Sequence, residues 1–118
     1  MKHEISEHEL RQDLREARLR PEAGGRAARI YRATKGILNS GEVYFVLTDT
    51  PEQTSDIFRV LVDDRSVVAF ELERSNNTAL PTEVMVYPVE EYRKAIGRGL
   101  AETELRIAIE LAREALNR

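Results

Sequence analysis

Apolar residues recur at helical spacing toward both ends of the chain and crowd together in its middle. Near the amino end, Leu10, Leu14 and Ala17 form a narrow stripe. Ser6 with Glu9 three residues later has capping-box spacing, and Ile5 with Leu10 forms the matching hydrophobic staple. Glu7 and Glu9 suit the positive start of this helix; Arg15, Arg18 and Arg20 suit its end, and Pro21 with Gly24-Gly25 stops it. So thin a stripe predicts a peripheral helix within residues 1–23, packed on an edge or on another chain.

From Arg26 to Leu38 the residues Ala27, Ile30, Tyr31, Thr34, Ile37 and Leu38 recur every three or four positions, which predicts a second helix. Alternation over Ala28–Thr34 is too poor to favour a strand there. The centre changes period. Glu42–Thr48, Ile57–Val62, Val67–Leu72 and Glu83–Tyr87 are dense in β-branched and aromatic residues, and polar segments over 49–56 and 74–81 read as loops. Asp63-Asp64-Arg65-Ser66 makes Ile57–Val62 and Val67–Leu72 a hairpin. A turn closing on Asp64-Arg65 would set Val62 opposite Val67 and Leu61 opposite Val68. Both faces are then apolar, so this hairpin belongs in the centre of a sheet covered on both sides.

Val89–Leu116 is helical again. An unbroken helix of that length would run to ~42 Å, longer than a domain of this size is wide. Gly97 and Gly99 together cost about 2 kcal/mol relative to alanine, so a break is expected there. A continuous helix would instead present Ala101, Ala108, Ala112 and Ala115 to a partner helix in a homodimer. The pattern as a whole predicts one α+β domain over residues 1–118: amino-terminal helices, a mostly antiparallel four-stranded meander, and a carboxy-terminal helical segment on one face.

Charge is segregated along the chain. Residues 1–35 carry nine basic and six acidic residues, whereas residues 36–118 carry nine and fifteen. Eleven acidic and three basic residues lie between Glu42 and Glu91. If the fold gathers Asp49, Glu52, Asp56, Asp63, Asp64 and Glu83 on one loop surface, that surface attracts a basic protein and speeds the encounter electrostatically. The alternative is nucleic-acid binding through Arg26, Arg29, Arg32 and Lys35. Against it, each of those residues steps back about 60° around a helix, which spreads them over half the cylinder.

The chemistry available is thin. Without cysteine there is no disulfide, thiol nucleophile or thiolate metal site. His3 and His8, the only histidines, lie five apart, which misses the spacing of a helical metal pair. Asp63-Asp64 reads as a turn, Glu71 and Glu73 as strand carboxylates, and Glu90-Glu91 as a helix start. Neither Gly97-Arg98-Gly99 nor Gly24-Gly25 has phosphate-loop spacing.

No cofactor or metal is implied, and no apolar run reaches membrane-spanning length or resembles an export signal. These readings converge on a cytoplasmic, non-enzymatic protein-binding domain, an inhibitor or bacterial immunity-type protein in size and charge. A small-ligand-binding domain or small enzyme is the third possibility.

Overall fold

The computed structural model describes residues 5–117. The elements run α1 (Glu7–Glu16), β1 (Arg18–Leu19), α2 (Gly25–Ile37), β2 (Tyr44–Pro51), β3 (Ser55–Val62), β4 (Ser66–Glu73), β5 (Thr82–Pro88), α3 (Val89–Ile96) and α4 (Leu100–Leu116). The five strands form one antiparallel sheet in the order β1-β2-β3-β4-β5. The α+β class and the meander agree with the sequence pattern. The strand count does not: β1 adds a fifth strand, two residues long, pairing Arg18 with Phe45 and Leu19 with Tyr44.

Each sheet face has its own core. On one face Phe45, Leu61 and Val67 pack with Leu10 and Leu14 of α1, Tyr92 of α3, and Leu105, Ala108 and Ala112 of α4. On the other, Tyr44, Phe58, Val60, Val62, Val68 and Phe70 pack with Ile30 of α2. The covered-on-both-sides hairpin is therefore β3–β4, as the alternation required. The expected register shifts by one residue, however: Val62 pairs with Ser66, Leu61 with Val67 and Val60 with Val68. The cause lies in the tip, which spans Asp63-Asp64-Arg65. Asp63 takes a left-handed backbone (φ 55°), and its amide donates to the Val43 carbonyl at 2.7 Å. The shift puts Phe58 opposite Phe70 on the α2 face, ring centroids 5.7 Å apart.

α1 is not peripheral. Ser6 does accept from the Glu9 amide at 3.1 Å, but Leu10 and Leu14 are buried against α4. Arg11 pairs with Glu110 at 2.7 Å, and Arg106 bridges Glu7 and Glu110. The Arg11 guanidinium, against an upward push from burial and with help from Arg106, holds the Glu110 carboxyl below its ordinary range. A narrow stripe suffices because the helix lies in the angle between sheet and α4.

The carboxy-terminal helix breaks where expected. Gly97 (φ 69°) and Gly99 (φ 119°) both adopt backbones that disfavour a side chain. With Ala108 and Ala112 buried in the chain's own core, that alanine surface is not open to a partner.

Candidate functional site

The central acidic residues do not form a free acidic surface. Asp49 and Asp56 belong to strands rather than loops, because β2 and β3 extend the β2–β3 hairpin to the turn at 52–54. Arg26 of α2 reaches both, at 2.6 Å to Asp49 and 3.3 Å to Asp56, and Arg74 meets Asp56 at 2.7 Å. Asp56 is only 6% exposed. Burial pushes its carboxyl upward, but the guanidiniums of Arg74 and Arg26 outweigh that and hold it below its ordinary value.

Asp63, 5% exposed, accepts from the Glu42 and Val43 amides at 2.9 Å each and ties the start of β2 to the hairpin tip. Asp64 pairs with Arg113 at 3.1 Å. Of the six acidic candidates, only Glu52 and Glu83 lack an ion-pair partner among the described residues. The physical reason is plain: Arg26, Arg74 and Arg113, distant in sequence from Asp49, Asp56 and Asp64, meet them in the fold and neutralise them.

The four basic candidates also divide. Arg26 is consumed by the two aspartates and lies over the Phe58 ring at 5.0 Å. Lys35 turns toward the Gly41 carbonyl and the Tyr44 hydroxyl, each at 3.2 Å. The Tyr44 hydroxyl holds Lys35 protonated above its ordinary range, with burial opposing. Arg29 and Arg32 go elsewhere. They face a groove between α2 and the 74–81 segment, where Arg29 donates to the Asn76 carbonyl at 2.8 Å. The guanidinium of Arg32 is exposed, with no hydrogen bond or ion pair among the described residues.

Two adjoining cavities make up this groove. One, about 440 Å³, is floored by Ala33, Ile37 and Leu72, with Leu80 and Pro81 at its rim. The other, about 600 Å³, is ringed by Arg26, Arg29, Arg32 and Arg74, with Asp56 and Asn77. They share Arg29, Arg32 and Asn77. The groove thus has an apolar stretch and a cationic stretch, with four guanidiniums against the carboxylates of Asp49 and Asp56.

Arg74, Asn77 and Leu80 had no part in the sequence reading of function. One signal for them is present: Leu80 is a large apolar residue at the end of the polar run Arg-Ser-Asn-Asn-Thr-Ala, and it is 82% exposed.

The same side of the molecule leaves β5 uncovered. Val86 pairs with Val68, so Val84 and Val86 lie on the α2 face; Met85 lies on the opposite face. All three are exposed, Val86 at 46% and Met85 at 52%. The geometry of the sheet accounts for this. Five strands at about 4.8 Å spacing span roughly 19 Å between outer axes, while one helix is about 10 Å across. α2 contacts β1 and packs over the central strands, and β5 falls outside its reach.

Among the described residues no group of three or more His, Asp or Glu side chains is placed to hold a metal ion, and no helix is long and apolar enough to cross a membrane. His8 is exposed on α1, and His3 lies outside the described residues. Comparison with protein-family models, curated proteins and solved structures gives no match.

Proposed function

We propose that the protein is a non-enzymatic protein-binding domain whose docking surface is the groove between α2 and the 74–81 segment. The observation that carries the reading is the juxtaposition of an apolar floor with an excess of guanidinium charge. That combination suits an acidic, partly apolar segment of a partner protein, which is the reverse of the basic partner suggested by the charge pattern along the chain.

Several features favour a polypeptide over a small metabolite. The groove is open along its length, and Leu80 stands out at its rim. Small-ligand sites instead enclose most of the ligand surface. A binding role over a catalytic one is favoured by the lining: the apolar cavity has no carboxylate, histidine or cysteine, and Asp56 in the cationic one is bound by two arginines. Arg29, anchored on Asn76, is preorganised and loses little entropy when an anion arrives.

The test uses two labelled amphipathic peptides with identical apolar residues, one carrying glutamates and the other lysines. The glutamate peptide is expected to bind, with amide shifts at Ala33, Ile37 and Leu80. Arg32→Glu should weaken it on the order of tenfold, the equivalent of about 1.4 kcal/mol. Equal affinity for both peptides, or shifts that avoid these residues, would remove the proposal.

A further inference from the structure

We infer that the free edge of β5 pairs with the β5 of a second copy of this chain, extending the sheet across a two-fold axis at Met85. Of the two sheet edges, β1 is two residues long and β5 is seven. β5 carries a single charged side chain, Glu83, and exposes Val84 and Val86 on one face and Met85 on the other. A long edge with apolar residues on both faces is a template for another strand. Its one irregularity is at Glu83 (φ 53°), where the register against β4 slips between Ala69 and Glu71. From Met85 to Val89 the ladder is regular.

The hydrogen-bond phase fixes which groups look outward. The Val89 amide donates to the Arg65 carbonyl at 2.9 Å. With Val67 opposite Tyr87 and Ala69 opposite Met85, alternation turns the N–H and C=O of Tyr87 and Met85 toward β4. The Val86 N–H and the carbonyls of Val84 and Val86 therefore point away from the sheet.

Two antiparallel registers present these groups to a second copy. With Val86 on the axis, Val84 would lie opposite Pro88, which has no N–H, and the Val84 carbonyl would go unpaired. With Met85 on the axis, each Val86 N–H meets the Val84 carbonyl of the other copy, so the second register is preferred. Side chains agree with it. Val84 and Val86 of both copies form one apolar cluster on the α2 face, the two Met85 side chains meet on the other, and no like charges oppose each other at the centre.

This pairing does not depend on the groove. Arg32→Glu is expected to leave the assembly unchanged, whereas the edge variants below act on assembly directly.

The experiment is a solution mass measurement on the full chain, by light scattering across a concentration series. The expected result is twice the 13.5 kDa chain mass. Val86→Pro removes an outward N–H without breaking the ladder to β4, and should give the monomer mass with an unchanged far-ultraviolet spectrum. Because the chain has no cysteine, Met85→Cys reports the register: the facing positions form a non-hydrogen-bonded pair with Cα atoms about 4.5 Å apart, within disulfide reach. It should cross-link on mild oxidation faster than Val86→Cys, and this comparison decides the matter if Val86→Pro fails to fold. A monomeric wild type, a dimer untouched by Val86→Pro, or faster cross-linking by Val86→Cys would each overturn the proposal.

Discussion

Strands β4 and β5 are neighbours in one sheet and nearly alike in apolar content, yet they live in different solvents. In β4, Val67, Val68, Phe70 and Leu72 are buried; in β5, Val84, Met85 and Val86 stand open. What separates them is coverage. α1, α3 and α4 close one face and α2 the other; at the last strand only Tyr87, against Tyr92, still packs on a core. Apolar alternation thus records that a strand has two faces to hide, and says nothing about whether this chain or another supplies the cover.

Substitutions on either side of that boundary should differ sharply. The largest effect belongs to Phe70→Ala, which opens a cavity opposite Phe58 and should cost about 3–5 kcal/mol in chemical unfolding. Asp63→Ala should cost about 3 kcal/mol, because two amides lose their acceptor and alanine resists the left-handed backbone; Asp63→Asn, whose amide oxygen can accept both bonds and which tolerates that backbone, should recover a good part of the loss.

Gly41→Ala comes next, at about 1–3 kcal/mol: a Cβ there would sit 2.3 Å from Val62 Cγ1 and 3.1 Å from the Tyr44 ring. Acid unfolding profiles should then resolve Asp56. Its carboxyl is held below the ordinary range when folded, so its contribution is present above the ordinary carboxylate pKa and is lost as pH falls through the folded value. Asp56→Asn should lower stability at neutral pH and flatten that acid limb.

Glu104 has the opposite sign, since burial, aided by Asp13, raises its carboxyl. It favours the folded state as pH falls through that raised value, and Glu104→Gln should remove this slope. Smallest of all, Val86→Thr should leave monomer stability within about 0.5 kcal/mol, measured below the concentration at which chains associate.

Local rules carried much of this fold. The Ser6 cap, the period of α2, the two-sided β3–β4 hairpin and the break at Gly97–Gly99 each follow from short-range chemistry. What escaped depends on contacts between distant segments. β1 is too short to show a period. The hairpin register turns on Asp63, whose carboxylate accepts from the amides of Glu42 and Val43 and whose own amide donates to the Val43 carbonyl, all about twenty residues upstream. Charge segregation along the chain gave a false picture of the surface, because Arg26 and Arg113 fold onto Asp49, Asp56 and Asp64. The groove itself forms only when the 74–81 segment returns beside α2.

Amide hydrogen exchange at Val86, followed by NMR at increasing protein concentration, tests the open edge most directly. The account predicts rapid exchange in dilute solution that slows as chains associate, while Met85 and Tyr87, already bonded to β4, stay protected throughout. A Val86 amide protected in the isolated monomer, or one still unprotected at the highest concentration, would contradict it.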